Sequence, residues 1–433
     1  MLKRILRSLA LTLVATSAVA QLRLPVAPLV SQPLNTLGRQ LDDVASRTLS
    51  TLSRVRQHEV DQLIRDNRRR IDTDPRGNPI VRSEVLAWSP TQAALAHAKV
   101  LGFSVAREQS IESLQVQVVV LGAPNGIATR KALKMLRKGD PGGSYDFNHI
   151  YLESAAQVSP VEGTANAPSM DGRTSDAADE HIRIGLLDTG INLHHPALDS
   201  AHIVQWGCGG KPVAASHGTA IASILIGRAP GFRGVRPGAE LYSADVYCGQ
   251  PVGGAVDSIV AALGWLVGQN IPVINVSLVG PDNFLLEHTV AALAARGFLI
   301  VAAVGNDGPA APPLYPASYP RVVGVTAIDA HQQVLIEAAR GPQVMFASPG
   351  ADMAAANGAT GYSSVRGTSF ASPIVAALLA GRISAPEPVQ VSAAIDALSK
   401  TAIDLGSPGR DLTYGFGLVG AEYRMDPANL IRH

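Results

Sequence analysis

The sequence predicts an α/β protein whose largely parallel sheet is flanked by helices and is preceded by a small α+β domain. Three observations predict this fold class. Short β-branched runs alternate with helical segments from about residue 179 to residue 425. Between residues 79 and 154 the order of elements is strand, helix, strand, strand, helix, strand. Residues 155–178, rich in Ser, Ala, Gly, Pro and Asp, separate the two parts as an exposed linker.

The composition is that of a globular protein with a large core. The 433 residues are enough for two or three domains, and 46% of them are hydrophobic whereas 16% are charged. The formal net charge is only +1. Because a nucleic-acid-binding protein usually carries a basic excess, we expect no nucleic acid partner.

Residues 1–20 have the pattern of a cleaved export signal. Three basic residues precede an apolar stretch from Leu9 to Ala20, and its last residues, AVA, form a small-residue cleavage pattern. These 12 residues are too few to cross a bilayer comfortably. We therefore predict export to a periplasm or to the outside of the cell, without a stable membrane span.

Residues 21–78 form an Arg-rich lead segment. Apolar residues recur at helical spacing from Leu34 to Val44 and again from Leu49 to Val55, and a basic group follows at residues 65–70. The pattern favours a solvated helix with a charged face over a segment that docks on a membrane surface or a partner. It assigns the segment no role.

Residues 79–154 show the pattern of a small ferredoxin-like sandwich. RSEVLAW reads as a strand and leads to a helix at about Thr91–Leu101 and a strand near Phe103. The alternation in QVQVVVL, near Leu114–Leu121, predicts a half-buried strand. ATRKALKMLRKG predicts a second helix, and a last strand follows near His149–Leu152. This order of elements is ferredoxin-like and by itself implies no function.

Residues 179–425 predict the parallel sheet and the helices on its two faces. The candidate strands are Ile182–Leu187, Leu241–Val246, Val273–Leu278, Leu299–Val304 and Val322–Thr326. The candidate helices are Gly218–Ile226, Asp257–Gly268, Leu285–Ala295, Ser369–Gly381 and Val389–Ser399. In such folds the chemistry collects beyond the carboxyl ends of the strands.

Two cysteines acquire a meaning from the export signal. In an oxidising compartment Cys208 and Cys248 can form one intramolecular disulfide, which closes a loop of 40 residues (248 − 208). The disulfide is the favoured interpretation, and two buried free thiols are the alternative.

Three polar residues stand at the edges of elements in the large domain. Ser369 lies where a small polar turn enters an apolar helix, beside backbone N–H groups that can stabilise negative charge, so it reads as a nucleophile. The alternative is that Thr368 and Ser369 cap the helix, and Pro373 is expected in the first helical turn. Asp188 ends the first strand and could instead form a turn. His217 begins a helix, where a structural histidine is the alternative.

At these positions the chain resembles the subtilisin-like serine proteases. LLDTGINLHHPAL, HGTAIAS and GTSFASP match the family's Asp, His and Ser motifs, with separations of 29 residues (217 − 188) and 152 residues (369 − 217). NVSLVGP resembles the family's substrate-binding strand, AAVGNDG its oxyanion segment and YGFGLVGA its closing signature. The resemblance covers roughly residues 180–422 and implies a subtilisin-like fold.

The resemblance also implies roles for individual residues. Ser369 would attack the scissile carbonyl, His217 would transfer the proton, Asp188 would orient the imidazole, and Asn306 with the Ser369 N–H would hold the oxyanion. The residues that it implies for substrate binding are Ser277, Leu278, Val279, Gly280, Ala303, Gly305 and Leu314. Residues 79–154 would be a prodomain that assists folding and inhibits the enzyme from within the same chain. Self-cleavage would then fall between about Glu153 and Ala178.

Departures from the family pattern give two further expectations. Ala197 stands where many members have an acidic calcium ligand, and ILIGRAPGFR lacks the usual Asn-rich insertion, so we expect no metal at that site and no cofactor. Val279 and Leu314 add bulk near the primary specificity pocket, which predicts a preference for small or slender side chains.

The sequence thus predicts a secreted serine endopeptidase made as a zymogen, acting on protein or peptide substrates. A latent binding or regulatory protein, whose prodomain never leaves the groove, is the alternative from another class. Transpeptidation through the same acyl-enzyme is an alternative within the enzyme class.

Overall fold

The computed structural model describes residues 58–154, 158–160, 179 and 181–431. The predicted signal peptide, residues 1–20, lies outside the described residues, as do residues 21–57 of the lead segment and most of the 155–178 linker. Within these segments, residues 58–66 form helix α1. Among the described residues, no helix combines the length and the apolar character needed to cross a membrane.

The small domain has the element order that the sequence predicts. Its elements are β1 (Ile71–Thr73), β2 (Pro79–Trp88), α2 (Gln92–Val100), β3 (Ser104–Ile111), β4 (Val116–Gly122), α3 (Thr129–Gly139) and β5 (Ser144–His149). The sheet order is β5-β2-β4-β3, which is the order of a ferredoxin-like sandwich, and β1 pairs with the start of β2. The sheet therefore begins before residue 79, because a three-residue strand leaves no detectable alternation in the sequence.

Strand β4 is buried on both faces, not on one. Val119 and Leu121 pack under α2 and α3, whereas Val118 and Val120 join a core that belongs mainly to the large domain. Because successive side chains of a strand point to opposite faces, the apolar run VVVL can serve both cores at once. The small domain is thus docked through its own sheet.

The large domain is built on a seven-stranded parallel sheet in the order β17-β16-β15-β13-β8-β12-β9. Its strands are β8 (Arg183–Asp188), β9 (Ile203–Gly207), β12 (Glu240–Asp245), β13 (Val273–Val276), β15 (Leu299–Ala303), β16 (Val323–Ile328) and β17 (Val344–Pro349). Shorter strands lie outside this sheet: β6 (Leu152–Glu153), β7 (Val158–Pro160), β10 (Arg228–Ala229), β11 (Phe232–Arg233), β14 (Leu278–Val279), β18 (Met353–Ala356) and β19 (Tyr362–Val365).

Helices cover both faces of the parallel sheet. They are α4 (Ser216–Ile226), α5 (Val256–Gly268), α6 (Phe284–Ala295), α7 (Thr368–Ala380) and α8 (Pro388–Ser399), and α9 (Ala428–Ile431) follows. Alternation along β8 explains the two layers: Ile184 and Leu186 pack with α4 and α7, and Leu187 packs with α5 and α6.

The elements predicted for the large domain all occur, with ends within two residues of the predicted ones. The sequence did not predict β9 or β17. Strand β9 is half-buried along its whole length and lies at the sheet edge, so its residues IVQWG carry a weak apolar signal. Strand β17 runs into Pro349, which reads as a strand breaker.

The start of α7 differs from the expectation. The helix begins at Thr368, so Pro373 lies in its second turn. Proline has no N–H to donate to the carbonyl of Ser369 four residues before it. That carbonyl accepts the hydroxyl of Ser277 instead, at 3.2 Å.

Cys208 and Cys248 form the predicted disulfide. Cys208 directly follows β9 and Cys248 follows β12, and these strands are parallel neighbours. The carboxyl ends of neighbouring parallel strands meet at one edge of the sheet, which explains why the two thiols come together.

Candidate active site

The Asp and His motifs meet at the carboxyl edge of the sheet. Asp188 ends β8 and His217 is the second residue of α4. Nδ1 of His217 lies 2.8 Å from Oδ1 and 3.1 Å from Oδ2 of Asp188, and both side chains are buried. Thr189 fixes the arrangement, because its hydroxyl accepts the N–H of Gly218 at 2.9 Å. Asp188 therefore holds the imidazole in one orientation.

Ser369 does not cap its helix. Gly367, with φ of +142°, occupies the N-cap position of α7, and no side chain makes a cap hydrogen bond. The hydroxyl oxygen of Ser369 lies 2.7 Å from the carbonyl oxygen of Ser154 and 3.1 Å from that of Ser277. Nε2 of His217 is buried and has no hydrogen-bond partner among the described residues. The hydroxyl is thus turned towards the two carbonyl groups.

Asn306 holds the same carbonyl group. Its Nδ2 donates to the oxygen of Ser154 at 2.6 Å, and its Oδ1 accepts the N–H of Thr368 at 3.1 Å. The N–H of Gly305 donates to the hydroxyl of Thr368 at 3.2 Å. The second donor implied by the resemblance, the N–H of Ser369, lies in the first turn of α7, where an N–H has no acceptor in its own helix. Ser154 therefore presents its carbonyl between Ser369 and Asn306.

Residues 150–154 lie in a groove between two backbone edges. On one side β6 pairs antiparallel with β14, and the N–H of Ser154 donates to the carbonyl of Ser277 at 3.2 Å. On the other side the N–H of Tyr151 donates to the carbonyl of Gly254 at 2.8 Å. Main-chain pairing on both sides holds the segment as an extended strand.

Several predicted substrate-binding residues contact this segment. Leu278 and Val279 form β14, and Gly280 packs against Tyr151, since a Cβ on Gly280 would lie 2.7 Å from the aromatic ring. The Tyr151 hydroxyl donates to the carbonyl of Pro281. Tyr151 is fully buried, so the groove accommodates a complete aromatic side chain four positions before the carbonyl of Ser154.

The surroundings of the Ser154 side chain are small and polar. Its hydroxyl lies 3.1 Å from both the Thr368 hydroxyl and Nδ2 of Asn306. Leu314 packs on Gly305, because a Cβ at that glycine would lie 2.5 Å from Cδ1 of Leu314. Ala303 ends β15 in the buried core, where its backbone pairs with β16.

Two carboxylates influence the imidazole. Burial lowers the pKa of His217, but the charges of Asp188 and Glu153 and the hydrogen bond to Asp188 outweigh it and raise the pKa to about 9. Burial raises the pKa of the Glu153 carboxyl, His217 opposes this shift and Asp188 adds to it. Glu153 directly precedes Ser154, so the bound segment itself alters the protonation of His217.

The calcium site of related proteins does not fit the residues present. Ala197 is buried and contributes only a methyl group, and its carbonyl accepts the N–H of Arg228 at 2.7 Å. The following chain forms the β10–β11 hairpin, which carries Arg228 and Arg233. Calcium prefers six to eight oxygen ligands, and these residues supply none of the usual carboxylate or amide oxygens.

Sequence reasoning missed several residues of the groove. Ser154, Tyr151 and Gly254 carry no motif, and their positions follow from the pairing of distant strands. Thr368 belongs to the recognised Ser motif, but its two contacts with the Asn306 loop depend on the packing of α7 beside β15. The position of Ser154 directly before the polar linker was the only available signal.

Comparisons with known proteins agree with this geometry. The model of the subtilase family matches residues 179–417, which is more than half of the chain. Subtilisin E of Bacillus subtilis (strain 168) is 28% identical over 349 residues, which cover 78% of this chain and 89% of that protein. An alkaline protease of Shouchella clausii is 32% identical over 295 residues, which cover 65% of this chain and 74% of the relative.

A solved structure shares the fold. Fervidolysin from Fervidobacterium pennivorans, a keratinolytic enzyme related to subtilisin, matches with a TM-score of 0.64 at 19% identity. The match covers 80% of this chain and 61% of fervidolysin, and at this identity it shows the fold alone. Together with the family match, it leads to one conclusion. The chain belongs to the subtilase family and is a subtilisin-like serine endopeptidase.

Proposed function

We propose that the chain is the zymogen of an exported endopeptidase that cleaves itself after Ser154. The observation that carries this proposal is the carbonyl of Ser154, which lies 2.7 Å from the Ser369 hydroxyl and 2.6 Å from Nδ2 of Asn306. A nucleophile and an oxyanion donor converge on one peptide group, the bond between Ser154 and Ala155. This position lies at the start of the range that the sequence predicts for self-cleavage.

The proposed reaction is acyl transfer through Ser369. The hydroxyl turns from the two carbonyl groups to Nε2 of His217, which takes its proton as the oxygen attacks the carbonyl carbon of Ser154. Asn306 and the Ser369 N–H stabilise the oxyanion of the tetrahedral intermediate. His217 then gives the proton to the leaving nitrogen, and water hydrolyses the acyl-enzyme by the same steps in reverse. Asp188 orients the imidazole and stabilises its charged form.

We propose that residues 58–154 remain as an inhibitor after this cleavage. The main-chain pairing of residues 150–154 does not involve the bond that is cut, so the product carboxylate keeps its place in the groove. The shared core under β4 and the caps that β5 supplies to the large domain support a role in folding as well. Asn148 accepts the N–H of Asp257 in α5, and Asp146 accepts the N–H of Phe284 in α6.

The bound segment also supports a substrate preference. A small residue, Ser154, precedes the cut, and Leu314 and Val279 add bulk nearby. Tyr151 fills a site four positions before it. The proposed substrates are proteins or peptides with a small residue before the cut and an aromatic residue three positions further upstream. A peptide-library profile dominated by Phe or Tyr directly before the cut would contradict the first preference.

Export and the absence of a cofactor are also part of the proposal. The N-terminal 20 residues support export, which suits the Cys208–Cys248 disulfide. Because the usual calcium site does not fit, we expect the self-cleavage rate to be the same in the presence and the absence of a calcium chelator.

The decisive experiment follows self-cleavage of the purified precursor. Wild type is expected to yield a new N-terminus at Ala155, identified by mass spectrometry, with a first-order rate that does not depend on protein concentration. Ser369→Ala is expected to remain intact, whereas the control Ser399→Ala, at the exposed end of α8, is expected to cleave normally. Trimming of Ser369→Ala at the wild-type rate would refute self-processing.

The occupied groove also favours one alternative, a latent binding or regulatory protein. Labelling of Ser369 by a fluorophosphonate, measured after processing, separates the two readings. An enzyme that releases residues 58–154 is labelled, whereas a permanently occluded protein is not.

A further inference from the structure

The loop from Tyr247 to Ala255 forms one edge of the groove. Ala255 pairs with Ile150, the carbonyl of Gly254 accepts the N–H of Tyr151, and the hydroxyl of Tyr247 donates to the carbonyl of Tyr151 at 3.0 Å. All three contacts involve residues four or five positions before the bond after Ser154. None of them involves Ser154 itself, so the loop contacts only the distant part of a bound chain.

A buried carboxylate holds the start of this loop. Asp245, the last residue of β12, is 2% exposed. Its Oδ1 accepts the N–H groups of Tyr247 at 3.0 Å and Cys248 at 2.9 Å, and its Oδ2 accepts the N–H of Val213 at 2.8 Å. A carboxylate that accepts several backbone N–H groups makes strong, charge-assisted hydrogen bonds. Asp245 thereby ties the loop to the sheet and to the segment that leads to His217.

The disulfide is a second anchor for the same loop. Cys248 lies three residues after Asp245 and is bonded to Cys208 at the end of β9. Both cysteines have positive φ, 54° for Cys208 and 52° for Cys248, which is uncommon for residues other than glycine. Such a conformation persists only where the surroundings over-determine it. The carboxylate and the disulfide together supply that constraint.

We propose that Asp245 and the Cys208–Cys248 disulfide are positioning residues that preorganise the loop as a substrate-binding edge. Gly249, Gly253 and Gly254 make this loop intrinsically free, and ordering it during binding would cost affinity. With the anchors in place the edge is ready to pair. The anchors therefore set the affinity for extended substrates and leave the chemistry at Ser369 unchanged. This assignment rests on the proposed function.

Substrate length provides the test. Processed full-chain enzyme is assayed with two fluorogenic peptides, the long one carrying the sequence Ile-Tyr-Leu-Glu-Ser of residues 150–154 and the short one only Leu-Glu-Ser. For Asp245→Asn and for Cys208→Ser/Cys248→Ser, we expect KM for the long peptide to rise about tenfold at unchanged kcat. For the short peptide, kcat/KM stays within about twofold. Fluorophosphonate titration of Ser369 corrects every rate for the folded fraction.

Asp411→Asn is the matched control. Asp411 also accepts three backbone N–H groups, from Ser407, Thr413 and Tyr414, but in a loop that does not pair with residues 150–154. It should leave the ratio of the two peptides at the wild-type value. If a variant does not fold, reduction of the wild-type disulfide in the processed enzyme provides the same comparison.

The outcomes separate this assignment from the proposed function. Equal losses on both peptides would mean a general structural effect and would overturn the assignment, as would unchanged KM for the long peptide. If wild type is labelled at Ser369 but cleaves neither peptide, the proposed specificity is wrong. If it is not labelled at all, the proposed enzyme activity fails and the assignment fails with it.

Discussion

At the scale of single residues, the protonation of His217 links the bound segment to reactivity. A general base must be neutral, and the carboxylates of Asp188 and Glu153 together with burial give His217 a pKa of about 9. Below that pH the imidazole is mostly protonated and cannot take the proton of Ser369. Glu153 thus restrains the cleavage of the chain that carries it.

The first prediction concerns pH. The rate of self-cleavage should rise with pH and reach half of its maximum near pH 9, where His217 loses its proton. Glu153→Gln removes one of the charges that raise this pKa, so its midpoint should lie at lower pH. Rates measured from about pH 6 to 10 in both precursors check this. Identical midpoints would show that Glu153 does not act on His217.

The second prediction concerns the oxyanion. Asn306→Ala should slow self-cleavage by about 10²–10³-fold, the magnitude measured when a subtilisin loses such a donor and not an independent inference. The control is Asn357→Ala, whose side chain only accepts loop N–H groups at Ala359 and Gly361. Gel analysis of the precursor over time gives both rates. A loss of less than about threefold for Asn306→Ala would remove it from the oxyanion site.

At the scale of elements, the loops that carry Asn306 and Ser369 share a support. Arg366 forms a bidentate pair with the buried carboxylate of Glu337, at 2.6 and 2.9 Å. The backbone around Glu337 in turn holds the Asn306 loop, because the carbonyl of Glu337 accepts the N–H of Gly308 at 2.8 Å. The pair therefore connects the two halves of the oxyanion site across different loops.

The third prediction follows from that connection. Arg366→Lys keeps the charge but loses the bidentate geometry, so kcat should fall about tenfold with little change in KM, because small misplacements of catalytic groups affect rate strongly. Arg424→Lys, at a partly exposed pair with Asp426, serves as control. Steady-state kinetics of the processed enzymes measure both constants. An effect confined to KM would argue that Arg366 contacts substrate instead.

At the scale of the whole molecule, an ionic network joins the two domains. Arg107 of β3 binds Glu84 of the small domain and the buried Asp257 at the start of α5, with Nη2 at 2.7 and 2.8 Å from the two carboxylates. Asn148 donates to the same pair of carboxylates, at 2.9 and 3.0 Å. Removing Arg107 leaves Asp257 buried beside another carboxylate, which disfavours the docked state.

The fourth prediction concerns release of the small domain. Arg107→Ala should shorten the delay between self-cleavage and the onset of activity on an added peptide, by about tenfold. Since the Arg107 side chain is 43% exposed, solvent screening limits the loss to about 1–1.5 kcal/mol. The control Arg130→Ala removes contacts to Thr73 within the small domain only. Equal delays for wild type and Arg107→Ala would show that the network does not govern release.

Much of this architecture was accessible from the chain itself. The alternation of β-branched runs and helices predicted the sheet, and the three motifs predicted where Asp188, His217 and Ser369 would lie, since parallel strands bring their carboxyl ends to one edge. These signals are local, so each can be read within about ten residues. Edge strand β9 and the Pro-terminated β17 were missed because their local signals are weak.

The sequence alone determined the order of elements, the three motifs and the pair of cysteines, because propensity, periodicity and motif spacing are properties of short segments. Only the tertiary structure decided that the carbonyl of Ser154 faces Ser369, a contact between residues 215 positions apart. It also decided that β4 serves two cores and that Asp245 anchors the loop at the far end of the groove. Such contacts depend on how distant segments pack, which the local pattern of either segment does not encode.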